Sequence, residues 1–123
     1  MSLLPKATIA TRTALELHGD YEQRQIAVEE LAELIVALKH YERGRISKRL
    51  VAEEIADVCI VVAQLADMFG REEIETQIEY KLERLMEACV ALTPVQKIDP
   101  YARSEEHTSE LQSHLNLVCR LLL

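Results

Sequence analysis

Apolar residues recur at helical spacing through four segments of this 123-residue chain. A weak pattern covers residues 6–17 and ends at Gly19, and a second segment runs from residue 20 to about Arg43. The third and fourth segments carry clear apolar stripes, because their large residues fall three or four positions apart. The stripes contain Leu50, Val51, Ile55, Val58, Val62, Leu65 and Phe69 in the third segment, and Ile74, Ile78, Leu82, Leu85, Cys89 and Leu92 in the fourth. The pattern predicts four helices.

Residues typical of helix ends mark the borders of these segments. Ser47 is the expected N-cap of the third helix, and Gly44 suits a left-handed cap after the second. Gly70 should end the third helix, and the fourth should stop before Pro94, which has no backbone N–H to donate. Because the connections at 44–46 and 70 are short, consecutive helices should be antiparallel. We therefore expect an all-α, antiparallel four-helix bundle-like domain.

The composition narrows the classes of function. Acidic residues outnumber basic ones by 21 to 14, and the net charge of −7 argues against nucleic acid or an anionic membrane as a partner. No apolar run approaches membrane-spanning length, and the N-terminus lacks the pattern of a signal peptide. Cys59, Cys89 and Cys119 are widely spaced, which argues against a disulfide framework or a zinc site. Cys59 and Cys89 have apolar neighbours, so we expect the cysteines to be small core residues in a reducing compartment. The sequence favours a cytoplasmic protein.

Two acidic clusters carry the candidate chemistry. Glu30 and Glu33 lie one helical turn apart, and so do Glu54 and Asp57. All four occupy positions where a helix normally places apolar residues against a neighbour. Ionised carboxylates that meet there repel one another, and leaving one unpaired costs several kcal/mol. The hard oxygen ligands predict a bound Mg²⁺ or Mn²⁺ between the helices.

The plain alternative is that these glutamates form a solvated helix face, since glutamate is a good helix former. A single Glu-Glu-x-x-Glu cluster fits that interpretation. Asp57 fits it poorly, because it is the one charged residue within the apolar stretch 55–63. The second cluster therefore favours a functional site.

The combined motif has a counterpart in a known family. Glu29-Glu30-x-x-Glu33, a spacer of twenty residues and Glu54-x-x-Asp57 resemble the MazG-like branch of the all-α nucleoside triphosphate pyrophosphohydrolases. The contexts Glu-Glu-Leu-Ala-Glu-Leu and Glu-Glu-Ile-Ala-Asp-Val extend the resemblance, and Lys81-x-x-Arg84 is similar to the basic element of the family. The similarity covers about residues 20–90. It implies Mg²⁺-dependent hydrolysis of a nucleoside triphosphate to the monophosphate and pyrophosphate.

The resemblance also implies roles for individual residues. The implied metal ligands are the four clustered carboxylates, Glu30, Glu33, Glu54 and Asp57. The implied catalytic carboxylates are Glu29, which would orient water, together with Glu30 and Glu54. The implied substrate contacts are Lys81 and Arg84 to the phosphates and Gln23 near the nucleotide. The helix before these motifs matches the family less well, so the resemblance does not indicate which base is preferred.

Two other interpretations fit an acidic helical chain. A non-catalytic helical interaction or oligomerisation protein would use the same residues for solubility or partner binding. A di-iron carboxylate bundle needs Glu-x-x-His pairs, and none of the four histidines has a glutamate three residues before it. Under any of these interpretations two long and two shorter helices leave apolar surface uncovered, so we expect a homodimer or homotetramer.

The character of the sequence changes at Arg103. Residues 103–123 resemble a translated sequencing adapter, which predicts a non-native tail after a functional domain of residues 1–102. The alternative is a genuine fifth helix, because apolar residues in this stretch also follow helical spacing. These residues are Leu111, Leu115, Val118 and Leu122.

Overall fold

The structure is a computed structural model that describes residues 2–96, with the side chains of residues 2–92. Its helices are α1 (Ile9–Glu42), α2 (Lys48–Phe69) and α3 (Arg71–Gln96). No strand occurs in this part of the chain, which confirms the predicted all-α class for these residues. The chain divides into two compact units, Met1–Glu75 and Thr76–Leu123. Helix α3 begins in the first unit and continues into the second.

Helix α1 joins the first two predicted helices across a break at Gly19. Its backbone angles there, φ 80° and ψ 165°, belong to a region that essentially only glycine occupies. The helix begins at Ile9, later than the predicted residue 6, because Thr8 supplies the cap. The Thr11 N–H donates to the Thr8 hydroxyl at 3.2 Å, and the Thr8 N–H donates to the Thr11 hydroxyl at 2.8 Å.

The predicted capping residues occur at the other borders of α1 and α2. Gly44 follows α1 with φ 67°, the left-handed conformation expected of a glycine cap. The Ser47 hydroxyl accepts a hydrogen bond from the Leu50 N–H at 3.4 Å, at the start of α2. Gly70 follows the last residue of α2 with φ 99°. Local sequence therefore determines where these two helices end.

The end of α3 differs from the prediction. The helix continues to Gln96, so the expected stop before Pro94 is wrong. A proline removes its own backbone donor, but the residues after it can still donate to carbonyls one turn back. The predicted domain end at residue 102, the tail 103–123 and Cys119 lie outside the described residues.

Helices α1 and α2 pack as antiparallel neighbours. The Gln64 side-chain Nε2, late in α2, donates to the Thr11 carbonyl oxygen, early in α1, at 3.2 Å. At the opposite end only residues 43–47 connect the two helices. The buried apolar residues of the described chain are mostly small, and they are Leu4, Ala27, Ala37, Val61, Ala63 and Ala66. Small residues at the contact let the helix axes approach closely.

The N-terminal segment before α1 is tied to α2 and to the first turns of α3. The Arg71 guanidinium donates to the Pro5 carbonyl oxygen at 3.0 Å and to the Asp67 carboxylate at 3.2 Å. The Ser2 hydroxyl also donates to the Glu75 carboxylate. These bonds hold the segment before α1 against the end of α2 and the start of α3.

Large apolar side chains remain exposed on the helices of the single chain. Ile35 is 63 % exposed on α1, and Ile60 is 50 % exposed on α2. Cys59 and Cys89 are exposed as well, so the prediction that these two are core residues is wrong. Apolar neighbours along the sequence lie on all sides of a helix and do not show which side is packed. Within the described residues, no helix is both long enough and apolar enough to cross a membrane.

Substitution of Gly19 by alanine tests the break in α1. A Cβ atom at Gly19 would meet nothing within 4 Å, so the effect comes from the backbone conformation alone. We expect the free energy of unfolding in urea to fall by about 1–3 kcal/mol, the cost of a side chain in this region. Glu16→Ala, at an exposed helical position, is the control. Equal stability of Gly19→Ala and Glu16→Ala would contradict the observed break.

Candidate metal and nucleotide site

Three carboxylates from α1 and α2 converge where the two helices face each other. Glu30 and Glu33 lie one turn apart on the part of α1 after the break, and Glu54 lies in the second turn of α2. One ligand oxygen from each of the three lies within 4.8 Å of the others. Glu30 and Glu54 are half-buried, and Glu33 is exposed. The antiparallel packing of α1 and α2 therefore brings the two acidic clusters of the sequence together.

This convergence leaves one carboxylate oxygen without a hydrogen-bond partner. Glu54 Oε2 is buried without a hydrogen-bond partner among the described residues. None of the three carboxylates forms an ion pair within this part of the chain, although other residues there do, for example Lys39–Glu42, Arg49–Glu53 and Asp67–Arg71. A buried carboxylate oxygen without a partner loses the solvation it had in water. This cluster therefore lacks the positive charge or donors that would stabilise it.

Electrostatic repulsion is focused on Glu30. Burial raises the pKa of Glu30 above its ordinary value of 4.5, and the charges of Asp57, Glu33, Glu54 and Glu29 raise it further in that order. The other four carboxylates named from the sequence thus all act on the side chain of Glu30. Asp57 and Glu29 are themselves exposed.

Asp57 also lines a cavity of about 300 Å³, here called the glutamine cavity. Glu30 lines it beside Asp57, and the buried side chains of Gln23 and Gln64 face the same space. The walls are completed by apolar residues and one histidine, namely Ala14, Ile26, Ile60, Val61 and His18. Of the predicted substrate contacts, Gln23 therefore lies in one cavity with two of the predicted metal ligands.

A second cavity, of about 330 Å³, is lined by the other two carboxylates of the cluster, Glu33 and Glu54. His40 shares this cavity and is half-buried. Ala32, Val36 and Ala37 supply its apolar walls. The carboxylates therefore line two spaces, each large enough for part of a small ligand.

Lys81 and Arg84 lie on α3 within the second unit. Both side chains are half-buried, and the Arg84 guanidinium lies 5.7 Å from the centroid of the Tyr80 ring. Such stacking holds an arginine by a cation–π interaction. The phosphate contacts that the family resemblance implies for Lys81 and Arg84 stay a prediction.

Reasoning from the sequence missed three polar cavity residues, His18, His40 and Gln64. His40 follows Glu33 by seven positions, and Gln64 follows Asp57 by seven. Residues seven apart lie on the same face of a helix, two turns along. Extending each acidic motif by two turns on its own face would have found His40 and Gln64.

The oxygen donors suit a hard divalent cation. Bonds of about 2.1 Å place the ligand oxygens of octahedral Mg²⁺ about 3 to 4.2 Å apart. The three carboxylate oxygens lie within 4.8 Å of one another, which is compatible with that range. Glu54 Oε2, which is buried without a hydrogen-bond partner among the described residues, supplies a ligand oxygen for a cation. The residues present therefore fit a magnesium or manganese site.

Comparison with known proteins gives no relative: no family model, no curated protein and no solved structure matches the chain. The likeness to the MazG-like enzymes rests on the two acidic motifs and the basic element alone.

The raised pKa of Glu30 predicts a pH-dependent stability in the absence of divalent metal. The unfolded chain loses this proton near pH 4.5 and the folded chain at a higher pH. Stability contributed by protonated Glu30 is therefore present at low pH and is lost as the pH rises from 4.5 through the folded pKa. Glu30→Gln stays neutral, so its melting temperature should rise relative to wild type across this range.

Melting curves from acid to neutral pH, recorded with a chelator present, test this expectation. Glu22→Gln is the matched control, because Glu22 is an exposed residue of the same helix outside the acidic cluster. A difference between Glu30→Gln and wild type that stays constant with pH would show that the pKa of Glu30 is not raised in the folded protein.

Proposed function

We propose that this chain is a MazG-like nucleoside triphosphate pyrophosphohydrolase that depends on Mg²⁺ or Mn²⁺. One observation carries the proposal: Glu30, Glu33 and Glu54 converge within 4.8 Å, and one of their oxygens is buried without a partner. A solvated acidic face would keep its carboxylates apart and hydrated. The acidic motifs that resemble the family contain these three residues, and the resemblance implies the proposed reaction.

In this proposal Glu30, Glu33, Glu54 and Asp57 hold the cation. Glu30 and Glu54 are half-buried and are fixed by the packing of their helices. Glu33 and Asp57 are exposed, and each lines a cavity that borders the cluster. A divalent cation bound there supplies charge neutralisation for phosphate oxygens and an acidified water.

Hydrolysis adds the elements of water across the bond between the α- and β-phosphates and releases pyrophosphate. Glu29 is exposed beside the cluster and contributes to the charge acting on Glu30, so it is suited to orient the attacking water and accept its proton. Gln23 would contact the nucleotide from the glutamine cavity. The family resemblance gives Lys81 and Arg84 as phosphate contacts, and in that role their charges would stabilise a leaving pyrophosphate.

We also propose that the chain works as a homodimer or homotetramer in which copies complete a four-helix bundle. The support is the set of large apolar side chains left exposed on α1 and α2, including Ile35, Leu50, Ile55 and Ile60. Burying such faces against a second copy is the usual way that thin helical units become stable. Cys59 and Cys89 are both exposed, and exposed cysteines are retained more readily in a reducing, cytoplasmic location.

Thermal unfolding with and without Mg²⁺ tests the metal assignment. A cation that binds only the folded chain stabilises it by mass action, by about 2.7 kcal/mol at one hundred times its dissociation constant. We expect millimolar Mg²⁺ to raise the melting temperature of wild type and to leave that of Glu54→Gln unchanged. Glu53→Gln is the control, because Glu53 is the neighbouring residue, is exposed and pairs with Arg49 at 3.1 Å.

If wild type melts at the same temperature with and without Mg²⁺ or Mn²⁺, that result would contradict the metal site. The exposed apolar faces would then favour the alternative function, a non-catalytic helical oligomerisation or interaction protein with an acidic surface. An equal response of Glu54→Gln and Glu53→Gln would place the cation elsewhere in the protein.

Light scattering during size exclusion tests the assembly. We expect the mass of two or four chains at micromolar concentration, because the apolar faces of α1 and α2 need a partner. A mass of one chain at every concentration would contradict the proposed oligomer. That result would not affect the metal assignment, which the melting experiment tests separately.

A further inference from the structure

The two cavities that border the acidic cluster lie on opposite sides of it along the pair α1 and α2. On α1 the glutamine cavity is lined by residues from Ala14 to Glu30, and the second cavity, here called the His40 cavity, by residues from Ala32 to His40. On α2 the order is reversed because the helices are antiparallel. The His40 cavity contains Glu54, and the glutamine cavity begins at Asp57. A ligand that extends from the cluster in both directions therefore has one end in each cavity.

The walls of the two cavities suit different chemical groups. The glutamine cavity has aliphatic walls from Ile26, Ile60 and Val61 and two amide side chains. Aliphatic walls with a few polar groups suit a nucleoside, whose rings are flat and carry hydrogen-bonding groups at their edges. The apolar walls of the His40 cavity are smaller, because two of its three apolar residues are alanines.

His40 is suited to contact a phosphate in the smaller-walled cavity. Of the residues that line this cavity, Glu33 and Glu54 hold the cation in the proposed function, and the others apart from His40 have no polar side chain. An imidazole has an N–H donor in its neutral form as well as in its charged form. The ring of His40 is half-buried, and no described residue forms a hydrogen bond or an ion pair with it. Its donor is therefore available to a ligand.

The surface beyond the His40 cavity is basic. His40 lies in the last turn of α1, directly before the connection to α2. Residues 43–49 contain four exposed basic residues and no acidic one. Arg49 pairs with Glu53 at 3.1 Å, whereas Arg43, Arg45 and Lys48 form no ion pair with a described residue. This end of the helix pair therefore attracts anions, although the chain as a whole is acidic.

The surface at the other end is acidic. Residues 13–23, around the break in α1, contain the exposed carboxylates Glu16, Asp20 and Glu22 and no lysine or arginine. Exposed charges act on one another within about 8–10 Å at physiological ionic strength, so each end has its own local field. A polyanionic group is favoured at the basic end and disfavoured at the acidic end. This difference in charge is independent of the acidic cluster between the two cavities.

We propose that a nucleoside triphosphate lies along α1 and α2 with its nucleoside in the glutamine cavity and its β- and γ-phosphates in the His40 cavity, where His40 donates a hydrogen bond to a phosphate oxygen. This inference rests on the proposed function for the identity of the ligand. The α-phosphate then lies at the acidic cluster, where its bond to the β-phosphate is hydrolysed. Pyrophosphate is released toward the basic connection.

Two histidines allow a direct test, because His18 lines the glutamine cavity and His40 lines the other. NMR signals of the histidine rings are recorded for the full-length protein with Mg²⁺, before and after addition of one reaction product. The products are inorganic pyrophosphate and, one at a time, the monophosphates of adenosine, guanosine, cytidine and uridine. The variants His18→Gln and His40→Gln assign the signals. We expect millimolar pyrophosphate to shift the signals of His40 and not those of His18, and a monophosphate that binds to shift those of His18.

Calorimetry on variants measures the contribution of His40. His40→Leu removes the donor, so we expect the affinity for pyrophosphate to fall about tenfold or more, since a hydrogen bond to a charged group is lost. His40→Gln keeps an N–H donor and should retain most of the affinity, which a purely structural role would not predict. His18→Leu is the matched control, because it removes a histidine from the other cavity and should leave pyrophosphate binding unchanged. If His40→Leu does not fold, the NMR comparison on wild type decides the matter.

Several results would overturn the inference. Pyrophosphate that shifts the signals of His18, of both rings equally or of neither would do so. Equal loss of pyrophosphate affinity in His18→Leu and His40→Leu would do so as well, as would a loss in His40→Gln as large as that in His40→Leu. Pyrophosphate release from triphosphates tests the proposed function separately. A protein that releases pyrophosphate but gives one of these results would refute the orientation alone.

Discussion

The mutual repulsion of carboxylates held on two packed helices is the constraint from which the candidate site follows. Glu30, Glu33 and Glu54 are brought within 4.8 Å by the backbone of α1 and α2, and Glu54 Oε2 has no donor among the described residues. Burial raises the pKa of Glu30, and the charges of the neighbouring carboxylates raise it further. Arrangements that cost stability are expected at functional sites. There the bound ligand supplies the positive charge or hydrogen bonds that the carboxylates lack.

The rest of the described fold keeps these groups in place. Small residues such as Ala27, Ala37 and Ala63 let α1 and α2 approach closely, which is why acidic side chains can meet between them. The break at Gly19 separates the short first part of α1 from the part that carries the acidic motif. Gln64, from α2, donates to the first part of α1 and lines the glutamine cavity beside the second. The hydrogen bond from Gln64 to Thr11 thus joins α2 to α1 and also positions Gln64 in the wall of the candidate substrate pocket.

Local sequence was sufficient to predict much of this architecture. Gly44, Ser47 and Gly70 act within one turn of their own positions, and the helix borders there follow from chemistry that is visible in a short stretch. The pairing of the acidic clusters was also predictable, because i, i+3 spacing on two antiparallel helices gives two facing pairs. The start of α1 at Ile9 was missed because the pair Thr8 and Thr11 is a less familiar form of the capping box.

Features that depend on which side of a helix is packed could not be predicted in the same way. Cys59 has apolar neighbours in sequence yet is exposed, because α1 covers only one side of α2. Gln64 looked like an ordinary polar residue, and its burial depends on contact with Thr11, 53 residues away. The positions of cavities are likewise set by contacts between helices. The seven-residue spacing of His40 and Gln64 from the acidic motifs places them on the same helix faces, but only the fold shows that they line cavities.

Pyrophosphate release from a panel of nucleoside triphosphates tests the central claim most directly. The full-length protein would be assayed with Mg²⁺, with a chelator, and as the variants Glu54→Gln and Glu53→Gln. The account predicts metal-dependent release of pyrophosphate and monophosphate by wild type and Glu53→Gln, and none by Glu54→Gln. Folded wild-type protein that releases pyrophosphate from no nucleotide, with either Mg²⁺ or Mn²⁺, would contradict the account.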